Sequence, residues 1–190
     1  ETLAQAAQIA DPAEAESLYV QANNAVKEFV PMIPVAHGGS ATAFRADVEG
    51  AHASPLGNEY MAVMKPGDRT TFVWMQNAEP ISVYCNDETD GESLRACEQV
   101  VESLLGYEVG GTAVKPALAT GCEPNDDLTV WTCKLREGVK FHNGFTLDAD
   151  DVVTSWGVAW DASNPLHIGN TGAWEYFTYL WGGLLNAPSE

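Results

Sequence analysis

Apolar residues recur at helical spacing in one long segment near the start of the chain. Residues three or four positions apart share one face of an α-helix, and the recurring positions are Leu18, Ala22, Ala25 and Phe29. Asp11 and Pro12 precede them, and these residue types cap and open helices. The pattern therefore predicts an amphipathic helix over residues 12–29.

Several stretches have the β-branched and aromatic composition of extended chain. Residues 70–76, TTFVWMQ, predict a strand, and residues 32–37 and 41–48 predict shorter extended segments. Residues 114–122 and 128–135 flank the turn sequence PNDD, in which Pro, Asn and Asp favour chain reversal. These two runs predict a hairpin.

Three further segments predict helices. A capping box at residues 89–92 precedes an apolar series that ends at Leu105, with Gly106 as a candidate C-cap. Residues 135–156, LREGVKFHNGFTLDADDVVTSW, predict an extended run, an Asn-Gly turn and a helix that begins at Asp148. Residues 172–185 predict a short aromatic helix that ends at two glycines.

The four cysteines fall as two local pairs. Cys85 and Cys97 are 12 residues apart, Cys122 and Cys133 are 11 apart, and the predicted hairpin brings the second pair together. Two such disulfides would each contribute about 3 kcal/mol in the chain-entropy model. They would also indicate an oxidising compartment, which means periplasm, cell surface or medium. Four free thiols in a cytosolic protein are the alternative.

Composition narrows the classes of partner. The net charge is −18 and the nine Lys and Arg residues do not cluster, which argues against nucleic acid and against an anionic membrane surface as partners. An apolar content of 45% supports a folded core. The chain starts without Met and without the basic and apolar regions of a signal peptide. We therefore expect a processed product or a part of a longer protein.

The sequence offers no pattern of residues typical of catalysis or metal binding. The histidines lack the spacings of zinc motifs, no G-x-S-x-G is present, and no CxxC occurs. The acidic groups at residues 87–90 and 148–151 stand where helices are predicted to begin, and capping explains them. We predict no catalytic residue, no metal and no cofactor.

The stretch at 135–156 closely resembles the marker of family 5 extracellular solute-binding proteins, the peptide, dipeptide and nickel receptors of ABC importers. The matching residues are Leu135, Arg136, Gly138, Phe141, Gly144, Leu147, Ala149, Asp151 and Val152. Asn143 and Asp148 replace an Asp and a Thr of the family pattern and keep their turn and cap roles. PALA at 116–119 and VWTCKL at 130–135 also resemble family segments.

The order of the segments differs from that of the family. Residues 1–66 resemble the family's C-terminal segment, whereas residues 67–190 resemble its N-terminal segment. Both family termini fold into one lobe, so the resemblance implies an α/β, type II periplasmic-binding-protein-like lobe I, with a mixed sheet, flanking helices and no lobe II. Because the termini of a domain commonly lie close together, permutation costs little structurally. We expect a single lobe I-like domain over residues 1–190.

Candidate ligand-binding residues follow from strand ends and from the resemblance. Ligands of open α/β sheets bind outside the ends of strands. Strand 70–76 leads into a polar loop that runs to Tyr84, and the corresponding family loop faces the cleft. The candidates are Gln76, Asn77, Glu79, Tyr84 and His37. Ordinary loop polarity is the alternative for each.

The resemblance implies a substrate-binding component that captures peptides or similar small solutes. Its partners would be the permease subunits of an ABC transporter and lobe II of the full-length protein, in the periplasm or outside the cell, with a membrane anchor in that protein. Two alternatives stay open. One is a secreted acidic hydrolase that uses Asp87 or Glu79, and the other is a structural surface module stapled by disulfides.

Overall fold

The computed structural model describes residues 1–36, 38–39, 41–169 and 173–188. This part of the chain is mixed α/β. The helices are α1 (Thr2–Ala6), α2 (Pro12–Phe29), α3 (Gly91–Cys97), α4 (Ala149–Trp160) and α5 (Glu175–Trp181). The strands are β1 (Leu105–Tyr107), β2 (Val114–Pro116), β3 (Ala119–Pro124) and β4 (Trp131–Leu135).

The chain divides into two compact units. The first contains Glu1–Ala41 and Ala119–Lys134, and the second contains Thr42–Leu118 and Leu135–Glu190. Each unit therefore combines chain from before and after residue 66, where the order of family-like segments is predicted to change. The assignment of 1–190 to one permuted lobe I stays a prediction.

Helix α2 of the first unit begins and ends where the sequence predicts. The Asp11 side chain accepts a hydrogen bond from the Ala13 N–H at 2.9 Å, and Pro12 occupies the first helical position. The helix ends at Val30, which adopts the left-handed conformation with φ of 49°. Helix α1 packs against α2, and each helix buries one alanine, Ala6 and Ala15.

Strands β3 and β4 pair as a two-stranded sheet and form the predicted hairpin. Asn125 closes the turn twice, because its N–H donates to the Val130 carbonyl at 2.8 Å and its side-chain oxygen accepts from the Val130 N–H at 3.0 Å. The Cys122–Cys133 disulfide joins the two strands, as the spacing predicts.

The predicted helix from residue 90 to Leu105 is only partly correct. Asp90 caps α3 by accepting a hydrogen bond from the Ser93 N–H, but the helix ends at Cys97. Val100 and Val101 follow, and β-branched residues disfavour helix. Leu105 instead pairs with Pro116, because β1 and β2 form an antiparallel sheet.

The predicted mixed sheet is not found in the described residues, whose strands form two separate two-stranded sheets. The predicted strand 70–76 is not formed, and no strand is formed in 41–48, where residues 46–47 make a turn, or in the described part of 32–37. Strand-like composition favours an extended backbone, whereas a sheet also needs a hydrogen-bonded neighbour. Val73 and Met75 are accordingly 82% and 91% exposed.

The segment that carries the family signature folds as predicted. Gly144 takes φ of 90° in the Asn-Gly turn. Asp148 then caps α4, since its carboxylate accepts from the Asp150 and Asp151 N–H groups while Asp151 accepts from the Asp148 N–H. This capping box fixes the first turn of α4.

The aromatic helix α5 also lies where the sequence predicts it. It ends at Gly182 in the left-handed conformation, with φ of 72°. Its Phe177 and Trp181 rings lie 5.9 and 5.6 Å from the Trp156 ring of α4. These aromatic contacts pack the two helices together.

Candidate functional site

A cleft of about 680 Å³ lies beside segment 74–79 in the second unit. Segment 74–79 forms one wall, and α3 with the turn after it forms the other. The lining residues are Met61, Trp74, Met75, Gln76, Asn77, Ala78, Glu79, Arg95, Ala96 and Gln99. Five of these ten residues are polar or charged, so the cleft offers hydrogen-bonding groups beside an apolar surface.

Helix α3 is fixed to the chain that precedes it. The Cys85–Cys97 disulfide joins the end of α3 to residue 85, and Cys97 is buried. One turn earlier, the fully buried Ser93 hydroxyl accepts a hydrogen bond from the Ile81 N–H at 2.8 Å. These contacts hold the loop that follows segment 74–79 against α3.

Arg95 projects from α3 and contacts the opposite wall. Its Nη1 donates to the Gln76 side-chain oxygen at 3.3 Å, and its guanidinium lies 5.8 Å from the centre of the Trp74 ring. A guanidinium over an indole face gains cation–π attraction. Arg95 therefore connects α3 with segment 74–79.

A buried carboxylate holds the other side of Arg95. The Arg95 Nε donates to Glu59 Oε2 at 2.9 Å, and the Glu59 side chain is only 5% exposed. Burial opposes ionisation of Glu59, but hydrogen bonds from Arg95 and from the Glu59 and Ser54 N–H groups outweigh it, so the pKa of Glu59 is lowered. The carboxylate is ionised at neutral pH and pairs with Arg95.

Three further bonds tie the loop around Glu59 to the end of α3. Gln99 accepts a hydrogen bond from the Met61 N–H and donates one to the Glu59 carbonyl, both at 2.9 Å. Asn58 donates to the Glu98 carboxylate at 3.0 Å. Residues 58–61 belong to the C-terminal-like segment and α3 to the N-terminal-like one, so these bonds join the two predicted segments.

The structure brings three of the five candidate ligand residues together. Gln76, Asn77 and Glu79 line the same cleft. Tyr84 lies elsewhere, in a second cavity of about 500 Å³, and His37 lies outside the described residues. A ligand-binding role for each of these residues stays a prediction.

Tyr84 belongs to a packed aromatic cluster. The Tyr84 ring lies edge-on to the buried Trp174 ring, with 5.4 Å between the ring centres. The His167 ring stacks on the same Trp174 ring, with 4.3 Å between the centres. The buried Asp87 carboxylate accepts a hydrogen bond from the Trp174 N–H at 3.0 Å. A hydrolase would need two carboxylates that face one cleft, whereas Glu79 lines the first cleft and Asp87 supports Trp174.

The sequence pattern does not indicate two residues that shape this region: Arg95, which lines the cleft, and Glu59, which pairs with it. Arg95 stands within the apolar series of the predicted helix, and a cation at such a position was the available signal. Glu59 lies in a loop rich in Gly, Pro, Asn and His, and no pattern of apolar residues there indicates that its side chain is buried. The positions of both side chains depend on their ion pair, which joins residues 36 positions apart.

Two other kinds of site are absent from residues 1–36, 38–39, 41–169 and 173–188. No group of three or more His, Cys, Asp or Glu residues there could hold a metal ion. No helix in that part of the chain is long and apolar enough to cross a membrane.

Residues 113–174 match the sequence model of the bacterial extracellular solute-binding proteins, family 5 Middle. This range includes the predicted signature at 135–156, so the resemblance is confirmed there. The cleft residues between Met61 and Gln99 precede the matched range. No solved structure matches the chain.

Curated relatives carry names of binding proteins. The chain is 35% identical to heme-binding protein A of Haemophilus influenzae over 120 residues, which is 60% of this chain and 22% of that protein. It is 39% identical to the dipeptide-binding protein of Escherichia coli over 93 residues, 46% of this chain and 17% of that one. It is 29% identical to di/tripeptide-binding protein 1 of Pseudomonas aeruginosa over 132 residues, which is 66% of this chain and 25% of that protein. The chain thus spans a quarter or less of each relative.

Proposed function

We propose that this chain, which carries family 5 solute-binding sequence over residues 113–174, is part of the substrate-binding component of an ABC importer. It would capture peptides or similar small solutes and deliver them to permease subunits. The observation that carries the proposal is the cleft in which Gln76, Asn77 and Glu79 come together. The names of the relatives favour a binding protein over an enzyme.

Peptides are the first class of solute to test. Two of the relatives named above are di- or tripeptide-binding proteins. Segment 71–76 belongs to no helix or strand in the described part of the chain, and we propose that its backbone groups pair with an extended peptide. A peptide that pairs with this segment would gain main-chain hydrogen bonds, and neighbouring side chains would supply selectivity.

The chain would supply the lobe I side of the binding site, and lobe II would close over the solute by a hinge motion. The bonds between residues 58–61 and the end of α3 support this arrangement, because they join the C-terminal-like and N-terminal-like segments. Two disulfides suit the periplasm or the cell exterior. In the full-length protein we propose a membrane anchor.

Calorimetric titration with mixtures of di- and tripeptides tests the lobe I assignment. Without lobe II the cleft would bury only part of a ligand, so the expected dissociation constant is weaker than about 100 µM. Micromolar affinity would contradict the assignment of this chain to one lobe.

Amide chemical shifts recorded with millimolar peptide test the location of the site. We expect the Gln76 and Asn77 signals to move, and Asn77→Ala to weaken the response. Asn24→Ala is the matched control, because Asn24 is exposed on α2. An unchanged response in Asn77→Ala would argue against this cleft.

A further inference from the structure

His52 closes the loop over residues 50–60 through both nitrogens of its ring. Nδ1 lies 2.9 Å from the Gly50 carbonyl oxygen, and Nε2 lies 3.2 Å from the Tyr60 backbone nitrogen. The carbonyl can only accept a hydrogen bond and the Tyr60 N–H can only donate one, so Nδ1 carries the proton and Nε2 accepts. This arrangement therefore requires the neutral ring in its Nδ1–H form.

Protonation of the ring is incompatible with the second of these bonds. A histidine that takes up a proton donates from both nitrogens, and histidine ordinarily changes its charge between about pH 5 and 8. The new Nε2 proton would face the Tyr60 N–H, so two donors would meet where one hydrogen bond existed. The neutral ring thus holds Tyr60, and the protonated ring releases it.

Tyr60 lies between the two residues through which this loop reaches the cleft. On one side, the buried Glu59 carboxylate pairs with Arg95, which lines the cleft. On the other side, Met61 lines the cleft itself, and its N–H donates to the Gln99 side chain at 2.9 Å. Because both neighbours of Tyr60 are bonded to cleft residues, displacement of Tyr60 changes the wall of the cleft.

The charged groups around the ring lie on its own loop and on the chain from β1 to β2. The turn between these strands packs on the ring, since a Cβ added at Gly110 would lie 3.7 Å from His52 Cδ2. The charged residues of 49–60 and 105–116 are Glu49, which pairs with Lys65, and Glu59, Glu108 and Lys115. The pKa of Glu59 lies below its ordinary value of 4.5, so this carboxylate keeps its charge while a histidine titrates.

We propose that His52 is a pH-dependent switch of the cleft, whose neutral ring keeps the cleft ready for a solute and whose protonation weakens solute binding. This inference rests on the proposed function. Loss of one hydrogen bond in the wall should weaken binding about fivefold between about pH 7.5 and about pH 5.5. A solute bound at neutral pH would be released more readily in an acidic medium.

The state of the ring can be tested without a ligand. A long-range proton–nitrogen spectrum of the 15N-labelled 190-residue chain shows which ring nitrogen carries the proton, and His52→Gln identifies the signals. We expect the Nδ1–H form at about pH 7.5, and the Tyr60 and Met61 amide signals should move with the His52 ring signals on acidification. The Nε2–H form at about pH 7.5, or amides that do not follow the ring, would overturn the inference.

The Arg95 Nε–H signal reports whether the change reaches the cleft. The chain has four arginines, Arg45, Arg69, Arg95 and Arg136, and Arg95→Lys identifies this signal. The Arg95 Nε–H donates to Glu59, next to Tyr60, so its signal should shift with the same midpoint pH as the His52 ring. A signal that stays in place while His52 titrates would confine the effect to the loop and contradict the switch.

Trialanine, titrated to millimolar concentration at both pH values, tests the effect on binding. Glutamine keeps a neutral acceptor for the Tyr60 N–H at each pH, so His52→Gln should bind trialanine equally at both. The same peptide is used throughout, so this variant also controls for ionisation of the peptide. His142→Gln is the matched control, because His142 is exposed in the Asn-Gly turn and its loss should leave the wild-type pH dependence unchanged.

The outcomes separate this inference from the proposed function. If trialanine shifts the Gln76 and Asn77 amides with equal affinity at both pH values, the cleft binds solutes and the switch is wrong. The same holds if His52→Gln keeps the wild-type pH dependence. If trialanine moves no cleft signal at about pH 7.5 in the wild type or in His52→Gln, the proposed function fails and the inference fails with it.

Discussion

The two disulfides close loops of nearly equal length, 12 and 11 residues, but they support different kinds of structure. Cys85–Cys97 joins a loop to the end of α3, where Cys97 is buried and Ser93 binds the Ile81 N–H. Cys122–Cys133 joins two strands that already pair and whose turn Asn125 closes.

The difference shows that sequence spacing gives only part of the effect of a cross-link. Loop length sets the entropy removed from the unfolded chain, which is almost the same for the two pairs. The native contacts around each bridge determine how much further stability is lost when the bridge is removed. We call residues 74–99 the cleft region and residues 119–135 the hairpin region, and we expect removal of the two bridges to have different effects.

Removal of the cleft-region disulfide should have the largest effect. Cys85→Ala with Cys97→Ala should lower the free energy of unfolding by about 4 kcal/mol, because the loss of a buried sulfur adds to the loss of the cross-link. The Arg95 Nε–H signal should broaden or move, since α3 loses its link to residue 85. Urea unfolding and the NMR spectrum measure the two effects. An unchanged Arg95 signal would show that the cleft does not depend on this bridge.

Neutralisation of Glu59 should have the next largest effect. Glu59→Gln keeps the size of the side chain but removes the charge that pairs with Arg95, and we expect a loss of about 2 kcal/mol at pH 7. Glu49→Gln is the matched control, because the Glu49–Lys65 pair is exposed and such pairs contribute little. Equal losses in the two variants would show that the Glu59–Arg95 pair stabilises the fold no more than an exposed ion pair does.

The effect of Glu59 should also depend on pH. Its pKa in the folded protein lies below the ordinary value of 4.5, so the ion pair stabilises the fold above pH 4.5. This stabilisation is lost as the pH falls through the lowered pKa. The difference between wild type and Glu59→Gln should therefore be constant near neutrality and shrink below pH 4.5. A difference that grows on acidification would contradict this linkage.

Removal of the hairpin disulfide should have the smallest effect of the three. Cys122→Ala with Cys133→Ala should cost about 1.5 kcal/mol, because the turn sequence keeps the strands close even in the unfolded chain. The Arg95 Nε–H signal should stay in place. A loss as large as that of the cleft-region pair would show that loop length alone governs both bridges.

The sequence predicts those parts of the fold that depend on neighbouring residues. Asp11, Asp148 and Gly182 mark helix ends because caps act within one turn, and Asn125 marks the hairpin turn for the same reason. Strand 70–76 was predicted from composition, yet a sheet needs a partner that composition does not specify.

The candidate site divides in the same way. Gln76, Asn77 and Glu79 follow one another along the chain, so a single loop brings them to one cleft. Tyr84 is five residues further on and packs against Trp174, a contact 90 positions away that no local pattern indicates. The pairing of Glu59 with Arg95 spans 36 positions and was likewise invisible in the sequence.

Photo-crosslinking with short peptides shows whether solutes bind in the cleft region. Tripeptides with a photoreactive side chain and a free carboxylate are irradiated with the chain at millimolar concentration, and the attached residues are identified by mass spectrometry. Unlabelled trialanine is the competitor. We expect competed attachment at residues 74–79 and 95–99. Competed attachment at the hairpin region or at the cavity beside Tyr84, with none in the cleft region, would contradict it.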